Sequence, residues 1–114
     1  MNGDATGRLG PSEEALSRAL AAAHDALAAK IALLEAEQAA GNLTPMQAAG
    51  QARAAQAAYD RDCALARIAA DTGWRTWVGV GGILYASQPK TSPPRIVRAP
   101  SAPALREAID DSMR

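Results

Sequence analysis

The sequence predicts an α+β protein, mostly α, in which a long antiparallel, alanine-rich helical hairpin is followed by a three-stranded antiparallel β-meander and a C-terminal helix. Two observations predict this order. Up to Asp71 the apolar residues recur at three- and four-residue spacing, which is typical of amphipathic helices. After Gly73 the spacing changes to two, which is typical of half-buried strands. We therefore divide the chain into a flexible N-terminal arm (1–11), the hairpin (12–72) and a sheet unit (73–114) joined rigidly to it by one glycine.

The first helix is predicted over residues 12–40. Ser12 is a good N-cap, and the two glutamates after it lie where the helix dipole favours negative charge. Most of the large apolar residues fall on one stripe of this helix, while Leu33 lies beside it on another face. That stripe consists of Leu16, Leu20, Leu27, Ile31 and Leu34.

The second helix is predicted over residues 45–71. Gly41 is suited to end the first helix, Thr44 to cap the second, and Pro45 to occupy its first position. Alanines along one face of this helix allow close packing, and Leu65 and Ile68 lie on an adjacent face. Because two helices cannot bury all these apolar groups, we expect self-association, most simply a dimer forming a four-helix bundle. The residues expected to drive it are Leu16, Leu20, Leu27, Ile31, Leu34, Leu65 and Ile68.

Gly81-Gly82 predicts a two-residue turn between the first two strands, which would place Val80 opposite Ile83 and Val78 opposite Tyr85. A third strand is predicted at 95–99, and Ser101 is expected to cap the final helix. The register assigns one face of the sheet to the core beneath that helix: Trp74, Val78, Val80, Ile83 and Tyr85. The other face would hold Arg75, Trp77, Leu84 and Gln88.

The sheet unit also differs from the hairpin in charge. The 114-residue chain has no formal net charge, yet it has no acidic residue between Trp74 and Pro100. An exposed Trp77 beside Arg75 would suit a protein partner or nucleic acid. The alternative is that Trp77 packs on the hairpin and that Arg75 caps a helix or pairs with a hairpin acid such as Asp71. The residues expected to contact a partner are Arg75, Trp77, Gln88, Lys90, Arg95 and Arg98.

These features favour a non-enzymatic interaction or regulatory protein that self-associates through its hairpin and binds a protein partner through the aromatic and basic sheet. The alternative is a small nucleic-acid-binding regulator that uses the same basic sheet, although the overall neutrality of the chain opposes it. His24 and Cys63 have no companions at ligand or catalytic spacing, so we expect no enzyme activity, cofactor or metal. The sequence shows no membrane span, and a lone cysteine suits a reducing cytoplasm.

The C-terminal 40 or so residues carry a string of residues that runs through Gly73-Trp74, Trp77, Gly79, Tyr85-Ala86, Pro89, Thr91-Ser92-Pro93-Pro94 and Val97-Arg98-Ala99 to Leu105-Arg106 and Ile109. This string resembles short proteins of unassigned function from high-GC, actinobacterial-type bacteria. The resemblance implies no particular activity. The chain departs from the related pattern at Ser87-Gln88, where that pattern has basic residues. This departure weakens the argument for a nucleic-acid-binding function.

Overall fold

A computed structural model describes residues 11–114. It confirms the predicted fold class: two long helices form a hairpin, and a three-stranded antiparallel sheet and a last helix follow. The predicted arm lies outside the described residues except for Pro11, which already belongs to the first helix. The elements are α1 (Pro11–Ala39), α2 (Pro45–Thr72), β1 (Arg75–Val78), β2 (Leu84–Gln88), β3 (Arg95–Ala99) and α3 (Ala102–Ser112).

The hairpin turn is held by local hydrogen bonds. Thr44 Oγ1 accepts a bond from the Gln47 amide, and the Gln47 side chain accepts one from the Thr44 amide, which completes a capping box. On the other side of the turn, the Asn42 side chain donates to a Glu37 carboxylate oxygen at 2.9 Å. Gly41 adopts a φ of 82°, in the left-handed region where glycine is favoured.

The α1 stripe faces α2 but is only partly covered by it. Among the described side chains of α1, only Leu34 is buried, and the other four members of the stripe are half-buried. The α2 surface opposite them consists largely of alanines, which bring the helices together without enclosing the larger side chains. The described part of the chain is accordingly thin: it measures 52 × 38 × 19 Å and has a radius of gyration of 17.6 Å, against about 13 Å for a compact domain of this length.

The sheet has the order β1-β2-β3, but the register of its first hairpin differs by one residue from the predicted one. Trp77 lies opposite Tyr85, and Val78 lies opposite Leu84. The loop is longer than two residues because Gly79 still pairs with β2, its amide donating to the Ile83 carbonyl at 2.8 Å. Gly81 and Gly82 both adopt positive φ, so the loop closes with three residues rather than two.

Because side chains alternate along a strand, a shift of one residue exchanges the two faces of β2 relative to the prediction. Leu84 and Ala86 therefore face the core, and the prediction that Ile83 and Tyr85 do so was wrong. Val80 was also wrongly placed in the core, since it is 96% exposed at the tip of the loop. The prediction that Trp74 is buried is correct, whereas Val78, which was predicted in the same core, is 36% exposed on the edge strand β1.

The core lies where the sheet meets α3 and the last turns of α2. It contains Leu65 and Ile68 from α2, and Leu105 and Ile109 from α3, around Ala86 at the centre of the sheet. Leu65 and Ile68 were expected to need a second copy for burial, but the protomer itself buries them. Thr76 also ties β1 to α2, since its hydroxyl donates to the Leu65 carbonyl at 3.1 Å.

Candidate binding surface

The face of the sheet that points away from the core is the candidate binding surface, here called the outer face. Strand alternation and the observed register place two rows of three side chains on it. One row crosses the sheet as Trp77, Tyr85 and Arg98. The other crosses it as Arg75, Ser87 and Ile96.

Trp77 and Tyr85 form the centre of this face. Their rings are stacked with centroids 5.5 Å apart and planes inclined by 8°. The Arg75 guanidinium lies 5.9 Å from the Trp77 ring centroid, within the range of a cation–π interaction. Trp77 is 37% exposed, so it is partly covered but is not buried against the hairpin.

The cations of this face are not neutralised by the rest of the described chain. Within residues 11–114, no carboxylate lies within ion-pair distance of Arg75 or Arg98 on this face, or of Lys90 in the connection between β2 and β3. The predicted alternative of an Arg75–Asp71 pair is not observed, because Asp71 instead binds Arg106 of α3 at 2.8 Å.

The six residues expected to contact a partner do not form one surface. Arg75, Trp77 and Arg98 share the outer face. Gln88 and Arg95 pair with each other on the opposite side of the sheet, and Arg95 donates a 2.7 Å hydrogen bond to the Ser112 carbonyl near the end of α3.

Lys90 lies in the connection between β2 and β3, at a φ of 65°. Thr91 braces this connection: its hydroxyl donates to the Gln88 carbonyl and accepts from the Arg95 amide. The bracing fixes Lys90 beyond the end of the strands rather than on the outer face.

Sequence reasoning missed three members of the outer face, Tyr85, Ser87 and Ile96. Ile96 is 60% exposed. Tyr85 was missed because the predicted register placed it in the core. Gly79 is the signal that could have placed Tyr85 on the outer face. A Cβ at this position would lie 2.3 Å from the Tyr85 ring, so only glycine leaves room for the ring where it lies over β1.

A groove runs along β1 on the side away from β2. It encloses about 500 Å³, within the size range of ligand clefts. Its helical wall comes from the first turns of α1 and the last turns of α2 and is mostly alanine, together with Ser12, Leu16, Leu65 and one acidic side chain, Asp62. The opposite wall is β1 itself, from Arg75 to Val78.

The remaining chemical groups lie apart from this surface. Cys63 is buried in α2, and its interaction with Tyr59, one helical turn away, raises the pKa of the phenol above its ordinary value. His24 is exposed on α1 beside Asp25. Within residues 11–114, no group of three His, Cys, Asp or Glu side chains is placed to hold a metal ion, and no helix combines the length and apolarity needed to cross a membrane.

Comparison with protein-family models, curated proteins and solved structures finds no match to this chain.

Proposed function

We propose that this is a non-enzymatic interaction protein that binds a protein partner through the outer face of its sheet. The observation that carries the proposal is the row formed by Trp77, Tyr85 and Arg98. Tryptophan, tyrosine and arginine are the residue types that dominate binding energy in protein interfaces, especially where they cluster.

Charge indicates the chemistry of the partner. The outer face presents Arg75 and Arg98 without a carboxylate partner from the described chain. Complementary charge accelerates association and selects among partners. The proposed partner therefore carries acidic side chains around an apolar or aromatic group that packs on Trp77. A cytoplasmic setting, in which Cys63 stays reduced, suits this function.

We also propose that the hairpin self-associates. The half-buried stripe on α1 and the alanine-lined grooves beside it leave apolar surface along the hairpin. A second hairpin would cover that surface and make the thin molecule two layers deep. Sedimentation equilibrium should give the mass of a dimer, and a monomer at high concentration would contradict this part of the proposal.

Nucleic acid is the second candidate ligand. It is favoured by one observation, namely that Arg75 and Arg98 flank an aromatic pair on one face, since bases stack on such rings while cations contact phosphates. The absence of net charge weighs against it. Fluorescence titration of a single-stranded oligonucleotide at low salt separates the two candidates, because the protein-partner function predicts no binding.

Affinity capture from cells of the source organism, with wild-type protein and two variants as bait, tests the main proposal. Trp77→Ala removes the central ring, and Arg98→Glu reverses a charge at an exposed position. Each should weaken binding of the captured partner by at least about tenfold, as expected for a residue near the centre of an interface.

The matched control is Val80→Ala, which truncates an apolar side chain that is 96% exposed at the loop tip, off the outer face. It should bind like wild type. Thermal unfolding of all three variants establishes that they are folded. A partner that both face variants retain at wild-type affinity would refute the proposal.

A further inference from the structure

We infer that the partner binds by strand addition: an extended segment carrying alternate acidic and small apolar side chains pairs with the outer edge of β1 as a fourth strand. This inference rests on the proposed function and specifies how the partner is held. It follows from the hydrogen-bonding pattern of β1, the groove beside it, and the charge at that edge.

The hydrogen-bonding pattern leaves the outer edge of β1 available. Gly79 donates to the Ile83 carbonyl, and hydrogen-bonded pairs alternate in an antiparallel ladder. Arg75 and Trp77 therefore bond to β2, whereas Thr76 and Val78 point their amides and carbonyls away from it. No strand of the described residues lies on that side of β1.

The other edge of the sheet differs in ways that discourage pairing. β3 is flanked by Pro94 and Pro100. Proline is a common means of protecting a sheet edge. β1 has no proline within or beside it, so its edge is the more receptive of the two.

The groove fits the inward side chains of an added strand. Side chains of such a strand would alternate between the outer face and the helical wall. On the wall side they would meet mainly Leu16 and the alanines of α1 and α2, in a space of about 500 Å³ that Asp62 also lines. The Asp62 carboxylate is already paired with Arg61, at 3.0 Å. Small aliphatic side chains match this lining. On the outer face they would lie beside Arg75 and Trp77, where acidic side chains match the unneutralised guanidinium.

Charge favours an acidic segment of another protein, rather than a second copy of β1, as the added strand. A twofold pairing of two β1 edges would bring together two sheet units that each have four basic residues and no acid between Trp74 and Pro100. Like charges disfavour that arrangement, and an acidic segment relieves it. Pairing of main-chain groups with a sheet edge, with pockets for alternate side chains, is an established form of peptide recognition.

The test measures binding of a blocked heptapeptide in which glutamate and valine alternate, by calorimetry and by tryptophan fluorescence, to which both Trp74 and Trp77 contribute. A peptide of alternating lysine and valine should bind at least about tenfold more weakly, because its charges oppose Arg75. Failure of the acidic peptide to bind at millimolar concentration would overturn the inference, while the capture experiment would still decide the proposed function.

The decisive variants are Val78→Pro and its control Val78→Ala. Proline removes the amide that points to the free edge and leaves the β1–β2 ladder intact, since Val78 does not donate to β2. Alanine removes most of the same side chain and keeps the amide. Val78→Pro should bind the acidic peptide at least about fivefold more weakly than Val78→Ala, as expected when a buried acceptor loses its donor.

Hydrogen exchange of the wild-type protein gives a readout that does not depend on the folding of a variant. The amides of Thr76 and Val78 should exchange rapidly in the free protein and slow at least about tenfold when the peptide is bound. Unchanged exchange at both amides, or equal binding by the two Val78 variants, would overturn strand addition. If Trp77→Ala nevertheless abolished peptide binding, the outer face would remain the binding site and only the mode of binding would be refuted.

Discussion

Gly79→Ala tests the observed register directly. Gly79 has an extended backbone, with a φ of −96° and a ψ of −172°, which alanine adopts without strain. The obstacle is the Tyr85 ring, whose nearest atom would lie 2.3 Å from the new Cβ, whereas ordinary contacts begin at 3.4 Å. The ring must therefore move by at least about 1 Å, and it cannot do so while stacked on Trp77.

The size of the effect follows from opposing contributions. Crowding of this kind costs about 1–3 kcal/mol, and the low end applies here because Tyr85 is half-exposed and can swing outward. Lost stacking with Trp77 adds about 0.5–1.5 kcal/mol. Replacing glycine by alanine recovers about 0.4–1 kcal/mol by restricting the unfolded chain. We expect a net loss of about 0.5–2 kcal/mol, or roughly 2–8 °C in melting temperature.

Urea unfolding gives the stability, and near-ultraviolet circular dichroism reports the Trp77–Tyr85 stack. The control is the same substitution in a Tyr85→Ala background, where no ring opposes the new methyl group and Gly79→Ala should be neutral or slightly stabilising. If Gly79→Ala alone matches wild type in both stability and dichroism, Tyr85 does not cross the strand at Gly79, and the observed register is refuted.

Substitutions at three further sites test the core, the hydrogen bond between β1 and α2, and the titration of Tyr59. Ile109→Ala should cost about 2–5 kcal/mol in urea unfolding, because it empties a fully buried site; a loss below about 1 kcal/mol would contradict the assigned core. Thr76→Val should cost about 0.5–1.5 kcal/mol by removing the bond to the Leu65 carbonyl, and Thr76→Ser should keep most of it. Cys63→Ala should return the raised pKa of Tyr59 towards its ordinary value, measured by NMR of the ring. Because the folded state holds this phenol proton more tightly than the unfolded chain, the stabilisation is present below the ordinary pKa of about 10 and is lost as pH rises through the raised pKa.

The hairpin could be predicted from the sequence because its signals are local. Gly41, Thr44 and Pro45 each specify one backbone conformation or one cap, and Gly73 ends α2 in the left-handed conformation at a φ of 76°. Such signals depend on few neighbours, so the predicted boundaries agree with the observed helices within one or two residues.

The register of the first β-hairpin could not be predicted in the same way. Three glycines at 79, 81 and 82 permit loops of two or three residues, and local preference does not choose between them. The choice depends on tertiary contacts: Leu84 and Ala86 fit beneath α3, and the Tyr85 ring lies over Gly79. Ala86 was not recognised as a core residue because its small side chain gives no hydrophobic signal of its own.

The candidate surface was partly predictable for related reasons. Alternation along β1 correctly grouped Arg75 with Trp77, because that grouping needs no partner strand. Which residues of β2 and β3 lie on the outer face depends on the register and on distant contacts, such as the hydrogen bond that Arg95 donates to the Ser112 carbonyl. These contacts removed Arg95 from the predicted surface and added Tyr85 to it.

The small contact between hairpin and sheet has a thermodynamic consequence. The sheet packs on the last turns of α2, around Leu65 and Ile68, while the capping box at Thr44 lies more than twenty residues away, or about 30 Å along the helix. Between these two ends the α2 side of the helix contact is mainly alanine, which leaves most of the α1 stripe half-buried. Heat should therefore melt the protomer in two overlapping transitions, with the turn end of the hairpin opening first and the sheet end retaining its structure.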